Sequence, residues 1–415
     1  MGESRRLREN AAMSAPLLFE AVIFDLDGTL VATDRYWIPA ARSATRRALS
    51  EFGLELEVPQ NREWLRIVGL PLEQGLGQLF PELNAEQTEK LASYCVQAEE
   101  ELLSADGAAM LPGVREALDE LKGAGIKIGI ASNCGSSYMS HVVSSLGLLE
   151  WASEVRCLDS PGIRDKGDMI EDLLTSFDTR QAVMVGDRFG DEDAARSNGI
   201  PHVHVRTGYA SEHEGDTADL VLDDMSELTK NLRGRNERLN RVIDELGLVG
   251  RSLLLGVTGR RAAGKTLFAR DLARLAELRG AEARVIDLEA FRRESVTDAE
   301  DALGSHYDLP RLESEVLQPH AAGELEGLTI LEGSFLLDSR IATRLDRLLY
   351  LEVPVEEALA RLRGRDARLS GVGVLEQARE DLALEERFEA RFDPKRADLI
   401  VGGGVFSSSL PASRP

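Results

Sequence analysis

A chain of 415 residues exceeds one ordinary domain of roughly 100–200 residues, so two or three domains are expected. Hydrophobic residues at 43% and charged residues at 29% exclude a disordered chain, and no apolar run reaches the roughly 18 residues of a membrane span. A formal net charge of −23 provides no global basic field, which disfavours nucleic acid as a partner and favours small phosphorylated metabolites.

Residues 1–17 carry Arg5, Arg6 and Arg8 without the apolar core of a signal peptide, so a flexible N-terminus is expected, with Met13 an alternative start. Cys95, Cys134 and Cys157 are an odd, sparse set with no metal-ligand spacing, as in a reducing cytoplasm.

Short apolar runs then alternate with helical patterns. Strands are predicted at Glu20–Phe24, Lys127–Ala131, Ala182–Val185 and His202–Val205, and the rhythm restarts at Leu253–Val257, Arg284–Ile286, Leu328–Leu331 and Leu348–Val353. Such alternation predicts an α/β fold with two Rossmann-like parallel-sheet domains in series. The expected boundaries are 18–226 for the first domain, 227–250 for a helical linker, 251–402 for the second domain and 403–415 for a flexible tail. In the linker, Leu228, Leu232, Leu239, Val242, Ile243 and Leu246 have helical spacing. Lys230, Arg233, Arg235, Arg238 and Arg241 are read there as a solvated face rather than a nucleic-acid contact, because no aromatic residue is interleaved for stacking on bases.

The first strand ends in Asp25-Leu26-Asp27-Gly28-Thr29. Alternate residues of an extended segment share a side, so Asp25 and Asp27 can face one crevice beyond the strand's carboxyl end. Asp25 then suits a nucleophile forming an aspartyl-phosphate, and Asp27 a proton donor to the leaving oxygen. Two carboxylates and a phosphate need counter-charge, which predicts Mg²⁺ held by Asp25, the backbone carbonyl of Asp27 and a later carboxylate. Asp187 and Asp191 in VMVGDRFGDEDAA supply that carboxylate and its support, with Asp193 a solvated helix residue.

DLDGT, then IASN at Ile130–Asn133, then Lys166, then GDRFGD resembles the four-motif pattern of the haloacid dehalogenase superfamily across residues 18–225. The resemblance implies that Gly28, Thr29, Ser132, Asn133 and Lys166 hold the phosphate, with Arg164 a rival to Lys166. Asp34–Gly107, helical in pattern at Ala40–Phe52 and Ala85–Leu103, resembles the inserted cap of phosphoglycolate phosphatase and β-phosphoglucomutase relatives. A cap excludes water and favours small substrates, and Arg35, Tyr36, Trp37 and Arg66 are its candidate recognition residues.

In the second half, Leu253–Thr266 reads as a strand, a loop and a helix start. Gly259, Arg260, Arg261, Ala262, Ala263, Gly264, Lys265 and Thr266 fit a phosphate-cradling P-loop: backbone N–H groups wrap the phosphates, Lys265 reaches their oxygens and Thr266 ligates Mg²⁺. ARVIDLEAFRR, HYDLPRLESEVLQPHAAGE and ILEGSFLL then resemble the uridine kinase and phosphoribulokinase family over residues 250–402. That resemblance implies a P-loop kinase fold, ATP as substrate and a nucleoside- or sugar-like acceptor. It also implies an acidic base at Glu289, with Asp287 its rival, Glu332 supporting Mg²⁺, and an arginine lid including Arg361 and Arg365.

The expectation is a bifunctional small-molecule enzyme, a phosphatase fused to an ATP-dependent kinase. Two alternatives stand beside it: a polynucleotide kinase-phosphatase acting on nucleic-acid ends, and a regulatory protein with one inactive half.

Overall fold

In the computed structural model the described residues are 17–211, 213–293, 302–358 and 392–404. The chain divides into two compact units, one running Phe19–Lys230 and the other built from Asn231 onward, with Leu18 packed into it. Both are α/β, and each centres on a parallel sheet.

The sheet of the first unit contains β1 (Ala21–Phe24), β2 (Lys127–Ser132), β3 (Glu154–Cys157), β4 (Ala182–Gly186), β5 (His202–Val205) and β6 (Leu220–Leu222) in the order β3-β2-β1-β4-β5-β6. Central β1 and β4 are buried along their whole length, as continuous apolar strands covered on both faces must be. Phe24 stands opposite Ile130 on one side and Val185 on the other, so the chain leaves β1, β2 and β4 at the same edge. The connection after β1 rises on one side of the sheet and that after β4 on the other, leaving a crevice at this switch point.

Between β1 and β2 the chain forms five helices, of which the first four, Asp34–Phe52, Asn61–Ile67, Leu72–Leu79 and Ala85–Asp106, make up the insertion and the fifth, Val114–Gly123, leads into β2. The two long ones contain the helical patterns read from sequence. Trp64 is fully buried among them, with Trp37 edge-on at 6.0 Å and Phe80 at 5.9 Å, and its indole N–H donates to Pro59 O. This aromatic centre gives the insertion a core of its own.

The second unit has β7 (Leu253–Gly259), β8 (Ala283–Asp287), β9 (Leu328–Glu332), β10 (Arg347–Glu352) and β11 (Leu399–Gly402) in the parallel order β11-β10-β7-β9-β8. Leu253, Leu255 and Val257 point into one apolar layer with the helix Lys265–Leu278, and Leu254 into the layer on the opposite face with Leu331 and Tyr350. Alternate residues of a strand face opposite sides, so β7 serves both layers.

Two expectations need correction. The helix Leu228–Leu246 does not carry its five cations on a solvated face: Arg235 and Arg238 are only 4% and 6% exposed. They stand four residues before Leu239 and Val242, on the buried stripe of the helix. Arg235 pairs with Asp271, and Arg238 donates to the carbonyls of Gly402 and Gly404. Gly403 and Gly404, read as the start of a tail, are bonded in turn to Glu352 O and Ala263 O. Residues 1–16 and 405–415 lie outside the described residues, as do Arg361 and Arg365. The three cysteines are free, and among the described residues no helix is long and apolar enough to cross a membrane.

Candidate active site

Asp25 and Asp27 follow β1, Ser132 closes β2, and Asp187 follows β4, so sheet register alone brings them to the crevice. Two further groups arrive on helix N-termini. Lys166 opens the helix Lys166–Ser176, and Asp191 sits in the first turn of the helix Phe189–Ser197, where it accepts the N–H of Arg188 at 2.9 Å as part of a capping box.

The carboxylates of Asp25, Asp187 and Asp191 each offer an oxygen within 4.8 Å of the others, and all three are buried. The ammonium of Lys166 lies between two of them, 2.6 Å from Asp25 Oδ1 and 2.6 Å from Asp191 Oδ1. Arg164 points away to an exposed pair with Asp168. Burial, then the neighbouring carboxylates acting against Lys166, pushes Asp25 well above the usual carboxylate range. Burial and the charge of Asp191 push Asp187 up to about 7. Burial works to lower Lys166, but Asp191 and Asp25 outweigh it and raise it overall.

Three carboxylates against one ammonium leave the pocket short of positive charge, and Asp25 Oδ2 is buried with no hydrogen-bond partner among the described residues. Such an oxygen-rich donor set fits a divalent cation such as Mg²⁺. Asp187 is turned toward the pocket by Thr29 Oγ1 at 3.3 Å and by the N–H of Tyr209 at 2.6 Å. Gly28 permits this approach: with φ of 81°, a Cβ there would stand 2.6 Å from Asp187 Oδ2.

Asp27 is held differently. Its Oδ1 accepts from Thr33 Oγ1 at 2.7 Å and from the Tyr138 hydroxyl at 2.5 Å, and its Oδ2 accepts from Ser132 Oγ at 3.3 Å. Burial raises its pKa, and these three donors oppose the rise.

Of the residues expected to hold phosphate, Thr29 is turned to Asp187, and Asn133 donates its amide to Gly69 O in the helical insertion at 2.9 Å. Arg188 makes a parallel fastening, donating to Val68 O at 2.6 Å and Arg66 O at 3.0 Å. Among the insertion's candidates, Tyr36 reaches the hydroxyl of Tyr138, Trp37 belongs to the insertion's own core, and Arg35 and Arg66 are exposed. Asp193 is half-buried rather than solvated. Thr33, Tyr138, Arg188 and Tyr209 escaped the sequence reading. Arg188 lay in plain view inside GDRFGD, whereas the tyrosines belong to no recognisable spacing.

A second constellation occupies the other unit. β7 runs into the loop Gly259–Gly264, where Ala262 has φ of 60° and Gly264 φ of 81°, and the helix Lys265–Leu278 follows. Lys265 Nζ donates to Arg260 O at 2.9 Å and Ser334 Oγ at 3.1 Å, folded back across the loop. Thr266 Oγ1 donates to Glu332 Oε1 at 2.7 Å, uniting a hydroxyl and a buried carboxylate, a pair that suits a hard cation or its waters. Asp287 lies opposite Glu332 across the β8–β9 pair, and its carboxylate accepts the N–H of Glu289. Glu289 itself accepts from Tyr307 at 2.5 Å and pairs with Arg292 at 3.0 Å.

The sequence profile of the family described as haloacid dehalogenase-like hydrolase matches residues 22–205. A phosphoglycolate phosphatase of Caulobacter vibrioides is 30% identical over 216 residues, covering 50% of this chain and 89% of that protein. The tyrosine-protein kinase PtkA of Mycobacterium tuberculosis is 30% identical over 196 residues, covering 46% of this chain and 63% of PtkA. Among solved structures, CbbY from Rhodobacter sphaeroides in complex with phosphate is 19% identical with a TM-score of 0.43, covering 51% of this chain and 96% of that one. β-Phosphoglucomutase from Clostridium difficile is 20% identical with a TM-score of 0.42, covering 54% and 100% respectively.

Proposed function

Since the chain belongs, through residues 22–205, to the haloacid dehalogenase-like hydrolases, we propose that its first unit hydrolyses small phosphomonoesters through an aspartyl-phosphate on Asp25. The observation that carries this reading is the buried cluster of Asp25, Asp187, Asp191 and Lys166 at the carboxyl edge of β1 and β4. Asp25 Oδ2 attacks phosphorus while Lys166 fixes the other oxygen and offsets charge on the phosphoryl group. Asp27 gives its proton to the leaving oxygen and afterwards takes one from the water that releases phosphate. Asp25, Asp187 and the backbone carbonyl of Asp27 would hold Mg²⁺, supported by Asp191, and the bound ion supplies counter-charge for the approach of phosphate to a carboxylate. The insertion, fastened by Arg188 and Asn133, restricts access to small substrates, of which phosphoglycolate-like esters are the first class to try.

For the second unit we propose ATP-dependent phosphorylation of a nucleoside- or sugar-like hydroxyl. The loop Gly259–Gly264, Lys265 and the Thr266–Glu332 contact support this reading, with Glu289 as base and Asp287 its rival. Opposing reactions on one hydroxyl would only hydrolyse ATP, so the two units act on different hydroxyls or different molecules.

A panel of sugar phosphates, phosphoglycolate and nucleosides, followed in parallel for phosphate release and ATP consumption, tests both proposals. Asp25→Asn should abolish phosphate release and leave ATP turnover intact. Phosphate release surviving that substitution would overturn the first proposal, and efficient phosphorylation of a DNA end bearing a free hydroxyl would replace the second with nucleic-acid end healing.

A further inference from the structure

Asp27 is gripped on one oxygen by a chain of hydroxyls that begins in the helical insertion. Tyr138, on the helix Ser136–Leu146, donates to Asp27 Oδ1 at 2.5 Å, and Thr33 donates to the same oxygen at 2.7 Å. Tyr36, on the first helix of the insertion, lies 2.5 Å from the Tyr138 hydroxyl. A phenol has one proton to give, and Tyr138 spends it on Asp27, so Tyr36 is the donor in their mutual bond and the order Tyr36 to Tyr138 to Asp27 is fixed. All four side chains are buried, so water does not compete for these bonds.

We propose that Tyr138 is the positioning residue for Asp27 and that Tyr36 couples this positioning to the seating of the insertion; the inference rests on the phosphatase reading above. An oxygen that already accepts two short hydrogen bonds is the poorer proton carrier of its carboxyl group, so the transferable proton resides on Oδ2. Oδ2 is the oxygen on the side of Ser132, which closes β2 at the same sheet edge as Asp25. In the transfer step the bond from Asp25 to phosphorus forms, the bond from phosphorus to the ester oxygen breaks, and the proton on Asp27 Oδ2 passes to that oxygen. Water later attacks phosphorus, the bond from phosphorus to Asp25 breaks and frees its carboxylate with the release of phosphate, and the water's proton returns to Asp27 Oδ2. Without Tyr138 the carboxyl group is free to turn about its bond and present either oxygen. Without Tyr36 the Tyr138 hydroxyl loses the donor that holds it.

The test compares kcat/KM for 2-phosphoglycolate, whose alkoxide must be protonated as it leaves, with that for 4-nitrophenyl phosphate, whose phenolate leaves unaided. Tyr138→Phe should lower the first roughly 10- to 100-fold and the second by no more than about threefold. Tyr36→Phe, which keeps the Tyr138–Asp27 bond, should give the same imbalance at smaller amplitude, and it decides the matter should Tyr138→Phe fail to fold. Equal losses on both esters would make the tyrosines merely structural and overturn the proposal, as would no loss on either. A wild-type protein that hydrolyses neither ester would overturn the phosphatase reading and this proposal together.

Discussion

Lys166 and Asp25 form a buried ion pair at 2.6 Å, with side-chain exposures of 6% and 1%. The same ammonium reaches Asp191, so a single cation separates the carboxylates of two different segments. Replacing it by an uncharged residue leaves three acidic side chains to face an incoming phosphate alone. Lys166→Gln is expected to lower kcat/KM for phosphate release by roughly 10²–10³, as the loss of one electrostatic stabiliser usually does, and to leave the ATP turnover proposed for the second unit unchanged. A steady-state assay of both activities on one preparation checks it.

In the second unit, Asp287 and Glu289 make opposite predictions. The Asp287 carboxylate accepts a backbone N–H, whereas Glu289 is held by Tyr307 and Arg292. With the acceptor identified in the panel, Glu289→Gln should lower kcat by roughly 10²–10⁴ with ATP binding retained. Asp287→Asn should be much milder. The reverse pattern moves the base two residues upstream, and two silent variants would rule out both.

His202 lies on β5 with both ring nitrogens buried and no hydrogen-bond partner among the described residues. Burial, opposed by the charge of Asp191 and joined by repulsion from His204, Arg196 and Lys166, pushes its pKa down to about 3. The folded state therefore refuses a proton that the unfolded chain accepts near pH 6.5. The contribution is complete above that pH and is lost as the pH falls toward the folded value. Between pH 7.5 and pH 5 the loss from this one group is about 2 kcal/mol. Denaturant unfolding should show His202→Leu gaining that amount on wild type across this interval, and a constant difference between the two would refute the assignment.

Arg235 and Arg241 lie on one helix but in different surroundings, the first buried against Asp271 and the second exposed. Arg235→Met strands a carboxylate in the interior and should destabilise the second unit by about 3–5 kcal/mol. Arg241→Met should stay within about 0.5 kcal/mol. Urea melts of the two variants separate these cases.

The strands that sequence periodicity missed are all sheet edges, although one edge strand, β8, was found. β1, β4 and β7 are central and buried on both faces, so their apolar runs stand out. β3, β6 and β11 were not predicted, and all three are sheet edges of three or four residues with partly exposed faces, too short to establish a period. The acidic motifs were legible because each follows a strand directly, and strand register then determines where its side chains meet. Tyr36 and Tyr138 were not legible as a pair, because their meeting depends on how the insertion packs against the helix Ser136–Leu146. The burial of Arg235 was hidden for a related reason: charge type suggests solvent, whereas helical spacing puts it on the apolar stripe.

Arg188 and Asn133 hold the insertion by the main-chain oxygens of Arg66, Val68 and Gly69. Every residue type carries such an oxygen, so the fastening does not depend on which side chains occupy these positions. Gly69 is the exception, with φ of 85° and Arg188 Cγ 3.2 Å from where a Cβ would stand. An insertion fastened in this way can change its sequence over generations, and with it the esters it admits, while its latch to the sheet edge stays intact.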